Sequence, residues 1–239
     1  MAEVVVTIPT YNERENIRIL IGKILELKIP GALILVIDDN SPDGTAAVVR
    51  ETAKKDKRVK LLLRTGPRGR GVAGKDGFLS ALKEGAGFII EMDADLSHNP
   101  AYIPQILEAL QDADVVLGSR LVSGGEDNRK SFFRRSITKL ANFYIHLILG
   151  IRVKDCNSGF RGYTRKALEA IEPRKIFSQG PSIVQEVLYR AHLKGLRIKE
   201  IPISFKEREL GTSKLGIPQL WKGYVMVLKL KFLHWFGRM

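Results

Sequence analysis

The chain reads as an α/β domain, a mostly parallel sheet flanked by helices. Two observations predict it. Short, continuous apolar runs alternate with amphipathic segments of helical period through the first half. Each apolar run also stops at a polar, often acidic, turn. The bulk composition allows a real core: 239 residues, 44% hydrophobic and 27% charged, with no internal repeat and no low-complexity tract.

The elements follow in order. Val4–Ile8 is a predicted strand. Asn16–Leu27 carries Ile17, Leu20, Ile21, Ile24 and Leu25 at helical spacing. Leu33–Ile37 is a second apolar strand ending at Asp38–Asp39, and Ser41–Gly44 turns into a helix from about Thr45 to Lys55. Val59–Leu63 is a third strand. A loop rich in Gly and Arg follows, with Arg64, Arg68 and Arg70 suggesting a mobile, charged segment. A helix from about Lys75 to Gly85 leads to strand Phe88–Met92, and another from about Ala101 to Gln111 leads to strand Asp114–Leu117. Such a sheet is buried on both faces, and ligands bind beyond the carboxyl ends of its strands. Those ends read Pro9–Glu13, Asp38–Asp43, Arg64–Gly77, Asp93–His98 and Ser119–Arg120, with carboxylates recurring.

The second half changes character. The net charge is +13, and residues 120–239 carry all of the excess. A helix is predicted over about Arg134–Leu149, and Ile201, Ile203 and Phe205 alternate as a strand. From Pro218 to Phe236, Leu220, Tyr224, Leu228, Phe232 and Phe236 recur every fourth residue beside Trp221, Trp235, Lys222, Lys229 and Lys231. That is a basic, aromatic-bearing amphipathic helix, suited to a membrane interface or to packing on the core. The expected division is residues 1–216 as the catalytic domain and 217–239 as the tail helix. A basic half points to an anionic partner: nucleic acid, phosphate esters or acidic lipid. No RNP-like aromatic set or helix-turn-helix signature supports nucleic acid. One cysteine rules out an intrachain disulfide framework, and no run of eighteen apolar residues suggests a membrane span. With no signal-peptide pattern, the expected place is the cytoplasm, free or at a membrane face.

Gly69 to Gly74 matches G-x-G-x-x-G after a predicted strand, and Gly69-x4-Gly74-Lys75 is one residue short of a P-loop. The first belongs to a first βαβ unit, whereas this is the third strand. The second needs a Ser or Thr hydroxyl where Asp76 stands.

The stronger constellation is Asp93-Ala94-Asp95 at the end of an apolar strand, joined by the acidic ends after the first two strands. Hard oxygen ligands in this arrangement suit Mg²⁺ or Mn²⁺, which bridge phosphate oxygens. The strings TIPTYNEREN, VIDDNSPDGT, MDADLSHNP, LGSR, NSGFRGY and EIPISFKERELGTSKLG resemble the dolichyl-phosphate (polyprenyl-phosphate) mannose synthases. These are inverting family 2 glycosyltransferases with a GT-A, Rossmann-like fold. The resemblance runs from Val4 to about Gly216. It implies transfer of mannose from GDP-mannose to dolichyl or polyprenyl phosphate, with UDP-glucose as the alternative donor.

The resemblance also implies roles. Pro9, Tyr11 and Glu13 hold the nucleotide base, with Ile37 and Asp39 completing that pocket and Asp39 near the ribose. Asp93, Ala94 and Asp95 form the donor-side acidic segment; Asp95 is the best metal ligand, with Asp93 and Ser97 weaker. Arg120 lies near the sugar and phosphates, and Arg208 and Lys214 form a clamp over the diphosphate. Arg134 and Thr138, one helical turn apart, receive the lipid phosphate. Some relatives carry Gln where Ser97 stands, Thr138 replaces a serine, and many relatives append transmembrane helices. This chain resembles the short form, which docks peripherally or through a membrane-anchoring partner subunit, at the cytoplasmic face.

Other residues have readings of their own. Asp38 and Asp43 read as turn formers and caps. Asp155 and Asn157 shape the turn before Ser158 or line the acceptor site. Cys156 reads as a small buried residue, His98 as a structural hydrogen-bonder, and Glu186 as a helix residue that either faces the sugar or does not.

Overall fold

The computed structural model describes residues 2–207, 217–237 and 239. The elements run β1 (Val4–Thr10), α1 (Arg14–Glu26), β2 (Ala32–Asp38), α2 (Thr45–Lys55), β3 (Val59–Leu63), α3 (Arg70–Lys83), β4 (Phe88–Glu91) and α4 (Ile103–Ala109). Next come β5 (Val115–Ser119), β6 (Glu126–Asp127), α5 (Phe132–Leu149), β7 (Arg161–Thr164), α6 (Arg165–Ile171) and α7 (Ile183–Leu193). The chain closes with β8 (Ile198–Pro202), β9 (Ser204–Phe205) and α8 (Ile217–Trp235). Seven strands form one sheet in the order β3-β2-β1-β4-β7-β5-β8, and β6 pairs with β9 beside it.

Alternation along β1 divides the core. Val4, Val6 and Ile8 face α1, α2 and α4, whereas Val5 faces the layer of α3, α5, α6, α7 and α8. Both faces are covered, so β1 and β2 are buried almost throughout and mostly apolar, as a doubly covered parallel sheet requires. One strand departs from the expectation. β7 runs antiparallel to both β4 and β5, between them. It is short and holds Arg161 and Gly162, so periodicity could not announce it. Gly162 is required because Ile106 of α4 and Leu110 just past its end press on that point of the sheet. Arg161 is fully buried yet satisfied, its guanidinium donating to the carbonyls of Ser158, Cys156 and Val184.

Two helix starts also move. α3 begins at Arg70 instead of about Lys75, and α5 begins at Phe132, where the Ser131 hydroxyl accepts from the Arg134 N–H. The tail helix packs on the same core: Val227 and Leu230 are buried, and the Tyr144 hydroxyl of α5 donates to the Tyr224 carbonyl at 3.2 Å. Leu228, Phe232 and Phe236, the stripe read from the sequence, instead face outward. No helix among the described residues is long and apolar enough to cross a membrane.

Candidate active site

The site is built where the parallel strands end. Pro9 pairs with Ile37 and Thr10 with Asp38 in the β1–β2 register, and the Asp39 N–H donates to the Thr10 carbonyl at 3.1 Å. Tyr11 and Asp39 are therefore delivered side by side, with buried Pro9 and Ile37 two residues behind them in the sheet. Asp38 points back: its carboxylate accepts from Ser41 N (2.9 Å), Ser41 Oγ (2.6 Å) and Thr10 Oγ1 (3.0 Å). Asp43 accepts from the N–H groups of Arg14 (3.0 Å) and Thr45 (2.9 Å), fastening α1 to α2. Burial raises its pKa, but the Thr45 and Arg14 bonds outweigh that and hold it below the usual carboxylate range. Glu13, just before α1, accepts from the Asn16 amide at 2.7 Å.

The arginines of the loop after β3 have partners at the strand ends. Arg64 pairs with Asp39 and with Asp76 (2.7 Å). Arg68 donates to the Tyr11 hydroxyl (3.0 Å) and the Asp39 carbonyl (3.2 Å), and its guanidinium lies 4.9 Å from the Tyr11 ring centroid. Arg70 reaches Glu91 (2.8 Å) and Asp93 (3.2 Å). Arg64 and Arg70 are each held by carboxylates at strand ends, Asp39 for one and Glu91 with Asp93 for the other, whereas exposed Arg68 is held by a hydroxyl and backbone carbonyls. The glycines explain themselves here too. Gly71 donates to the Gln179 carbonyl at 2.9 Å, and Gly69 and Gly71 lie against the 178–180 backbone so closely that a Cβ would collide. Their spacing serves a helix–loop contact. Gly74 leaves room for the Arg70 guanidinium one turn earlier.

At the fourth strand, Asp95 accepts from Ser97 N (3.1 Å) and Ser97 Oγ (2.5 Å), while Leu96 between them has a left-handed φ of 62°. Non-glycine residues in that region are strained and gather at functional sites. Asn12 (φ 59°) and Asn40 (φ 54°) occupy the same region after β1 and β2. Ser97 is buried and gives its proton to Asp95, so the structure uses it to aim Asp95. Ala94 is buried beside them. The His98 ring stacks on Phe160 (5.3 Å), meets Phe205 edge-on (5.4 Å), and its Nδ1 accepts from the Asp93 N–H at 3.4 Å. Burial keeps the imidazole below its ordinary pKa despite nearby Asp93 and Asp95, which fits a neutral structural role.

Arg120 is clamped by Asp155 through two 2.7 Å bonds, and its guanidinium stands 4.9 Å from the Phe205 centroid. Asp155 is fully buried, so its reading as a mere turn former gives way to that of the partner holding Arg120. Glu186 does not face the strand ends: buried, it accepts from the N–H groups of Phe177 and Ser178 and from Arg190. Arg134 is exposed on α5, and Thr138 one turn on donates to the Arg134 carbonyl at 3.0 Å. Arg208 and Lys214 lie outside the described residues. Sequence reasoning gave Arg64, Arg68, Arg70 and Phe205 no role in the site, and offered Asp155 as a turn former or acceptor-site lining but not as the partner of Arg120. Only their partners give them meaning, and those partners are remote in sequence.

Among the described residues no cluster of three or more His, Cys, Asp or Glu side chains could hold a metal. Asp95 with Asp93 offers hard oxygen donors and nothing softer, which fits a Mg²⁺ or Mn²⁺ that takes most of its ligands from substrate phosphates and water.

A mostly parallel sheet with carboxylates and arginines gathered along its carboxyl edge defines the class: an α/β protein whose candidate ligand site lies at the strand ends. Residues 5–172 match the glycosyl transferase family 2 model, and the chain belongs to that family: it is a glycosyltransferase with a GT-A-like fold. It is 40% identical over 213 residues to the polyprenol monophosphomannose synthase of Mycolicibacterium smegmatis, covering 88% of this chain and 80% of that one. It is 39% identical over 213 residues to the undecaprenyl-phosphate mannosyltransferase of Micrococcus luteus, covering 89% and 87%. Among solved structures, the glucosyl-3-phosphoglycerate synthase of Mycobacterium tuberculosis in complex with Mn²⁺, UDP and phosphoglyceric acid superposes with a TM-score of 0.71 at 17% identity, covering 98% of this chain and 78% of that one. That likeness concerns the fold.

Proposed function

We propose that this enzyme transfers mannose from GDP-mannose to a polyprenyl phosphate of the dolichyl or undecaprenyl kind, with inversion, giving polyprenyl phosphate β-mannose. The observation that carries the reading is the similarity, near 40% over most of the chain, to two mannosyltransferases named for polyprenol or polyprenyl phosphate. Tyr11, with Pro9, Glu13 and Ile37 around it, receives the base, and Asp39 the ribose. Asp95, aimed by Ser97 and helped by Asp93, would hold Mg²⁺ or Mn²⁺, which when bound neutralises charge on the departing diphosphate. Arg120, fixed by Asp155, faces the sugar and phosphates, and Arg208 and Lys214 complete the clamp. Fixed cations of this kind stabilise charge where it develops.

The acceptor needs no strong base. A phosphate monoester is ionised near neutral pH and attacks as it stands. That accords with a buried, neutral His98 and a site without a poised histidine.

The lipid acceptor also accounts for the surface. Apart from Ile19, every exposed large apolar side chain among the described residues belongs to α5, α8 or the adjoining Phe236. Neither helix contains an acidic residue, while Arg134, Arg135, Lys139, Lys222, Lys229 and Lys231 lie on them. Apolar anchors with cations suit an anionic bilayer, so we place the enzyme peripherally on a membrane, at the cytoplasmic face, alone or with an anchoring partner subunit. The deciding experiment is a donor screen with polyprenyl phosphate and Mn²⁺. Mannolipid from GDP-mannose is expected; glucolipid from UDP-glucose, or no glycolipid from any donor, would overturn the reading.

A further inference from the structure

Arg129 sits between β6 and α5, at the side of the site where the acceptor is placed. Its Nε donates to Asp127 Oδ1 at 2.8 Å and its Nη2 to Asp127 Oδ2 at 2.5 Å, a parallel ion pair. The same Nη2 donates to Thr138 Oγ1 at 2.9 Å. The Thr138 proton is itself committed to the Arg134 carbonyl. This hydroxyl is thus engaged both as acceptor and as donor.

Geometry then constrains any phosphate that reaches Thr138. A phosphate oxygen at ordinary hydrogen-bond distance from Oγ1, about 2.8 Å, stands no more than about 6 Å from Arg129 Nη2, given the 2.9 Å contact. A dianion that close to a guanidinium closes the gap, because planar paired N–H donors match phosphate oxygens. Arg129 also faces the Phe205 ring at 5.8 Å, the ring that Arg120 approaches at 4.9 Å. It therefore lies between the arginine assigned to the sugar and the helix assigned to the acceptor. Beyond Thr138, Leu121, Lys139, Asn142, Phe143, His146 and Lys154 line a shallow open depression of about 280 Å³, basic at its rim and apolar in part.

We propose that Arg129 is a ligand of the acceptor phosphate: it exchanges its bond to Thr138 for one to the lipid phosphate, while Asp127 keeps the guanidinium oriented. This rests on the reading of α5 as the acceptor side. Asp127 makes the exchange specific, since it holds one edge of the guanidinium and leaves the other to turn toward the ligand. No covalent step is involved.

Two measurements test it. In steady-state kinetics, Arg129→Gln should raise KM for polyprenyl phosphate about tenfold or more, leave KM for the nucleotide sugar within about twofold, and be partly rescued by Arg129→Lys. An unchanged lipid KM, or an equal rise in both KM values, would overturn the proposal. Independently, farnesyl phosphate and farnesol can be titrated calorimetrically into wild type and Arg129→Gln. Preferential loss of farnesyl phosphate binding supports the assignment even if no mannolipid is ever formed. Equal binding to both proteins refutes it even if the wild-type enzyme is active. The failure of the functional reading and the failure of this residue's role thus give different results.

Discussion

Replacing Arg70 by Leu strands a buried carboxylate. Glu91 is 2% exposed, and its ion pair is Arg70 at 2.8 Å; the Tyr163 hydroxyl at 3.3 Å is a weak substitute. Breaking a buried pair costs about 3–5 kcal/mol. An upper bound follows from protonation, since the carboxyl can always escape by taking up a proton. For a carboxyl of ordinary acidity that costs about 3.7 kcal/mol at pH 7 and about 1 kcal/mol at pH 5. Arg70→Leu should therefore lose about 3–4 kcal/mol at pH 7 and about 1 kcal/mol plus any packing loss at pH 5. The sign follows because the unfolded chain gives up this proton on raising the pH while the folded variant keeps it. Denaturant melts at the two pH values measure both numbers. The double variant Arg70→Leu, Glu91→Leu should regain most of the loss, since no charge is then left alone. A single-variant cost under about 1 kcal/mol at pH 7, or the same cost at both pH values, would refute the argument that this pair is held by burial.

Three further outcomes follow from the same geometry. Asp95→Asn should reduce sugar transfer by about a hundredfold or more while leaving the melting midpoint close to wild type, because Asp95 is only partly buried; kinetics and a melt on one preparation decide it. His98, kept below its ordinary pKa by burial, is neutral when folded. The unfolded chain takes the extra proton as pH falls through about 6.5, so stability drops there, and His98→Phe should flatten the slope between about pH 5 and 7. Cys156 is fully buried, and burial pushes its thiol up to about 12. Iodoacetamide at pH 8 should leave it unmodified in the native protein and alkylate it in denaturant; rapid native labelling would mean that the loop before β7 opens.

The acidic strand ends were readable as a site because a polar turn after a buried strand has no packing reason to repeat its carboxylates. Asp39, Asp93 and Asp95 come straight from that rule. The arginines do not: Arg64, Arg68 and Arg70 announce charge, but their partners lie on other strands. For Gly69 and Gly71, local spacing matched two ligand-loop patterns that their context argued against, but could not supply the real reason: the 178–180 backbone arriving from over a hundred residues away accounts for the close packing. The tail helix shows the same limit. Its four-residue stripe was legible, yet whether Leu228 or Leu230 turns inward depends on α5 and α7, which meet it only in the folded chain.

By itself the sequence determined the layered α/β plan, the acidic tip of β4 and the charge imbalance between the halves. These depend on local periodicity and composition, which every stretch of chain carries within itself. Tertiary structure alone decided that β7 enters the sheet reversed, that Asp155 holds Arg120, and which apolar side chains of α5 and α8 turn outward. Each of these is a pairing across the chain, and a pairing acquires energy only when both members are brought within a few ångströms of each other.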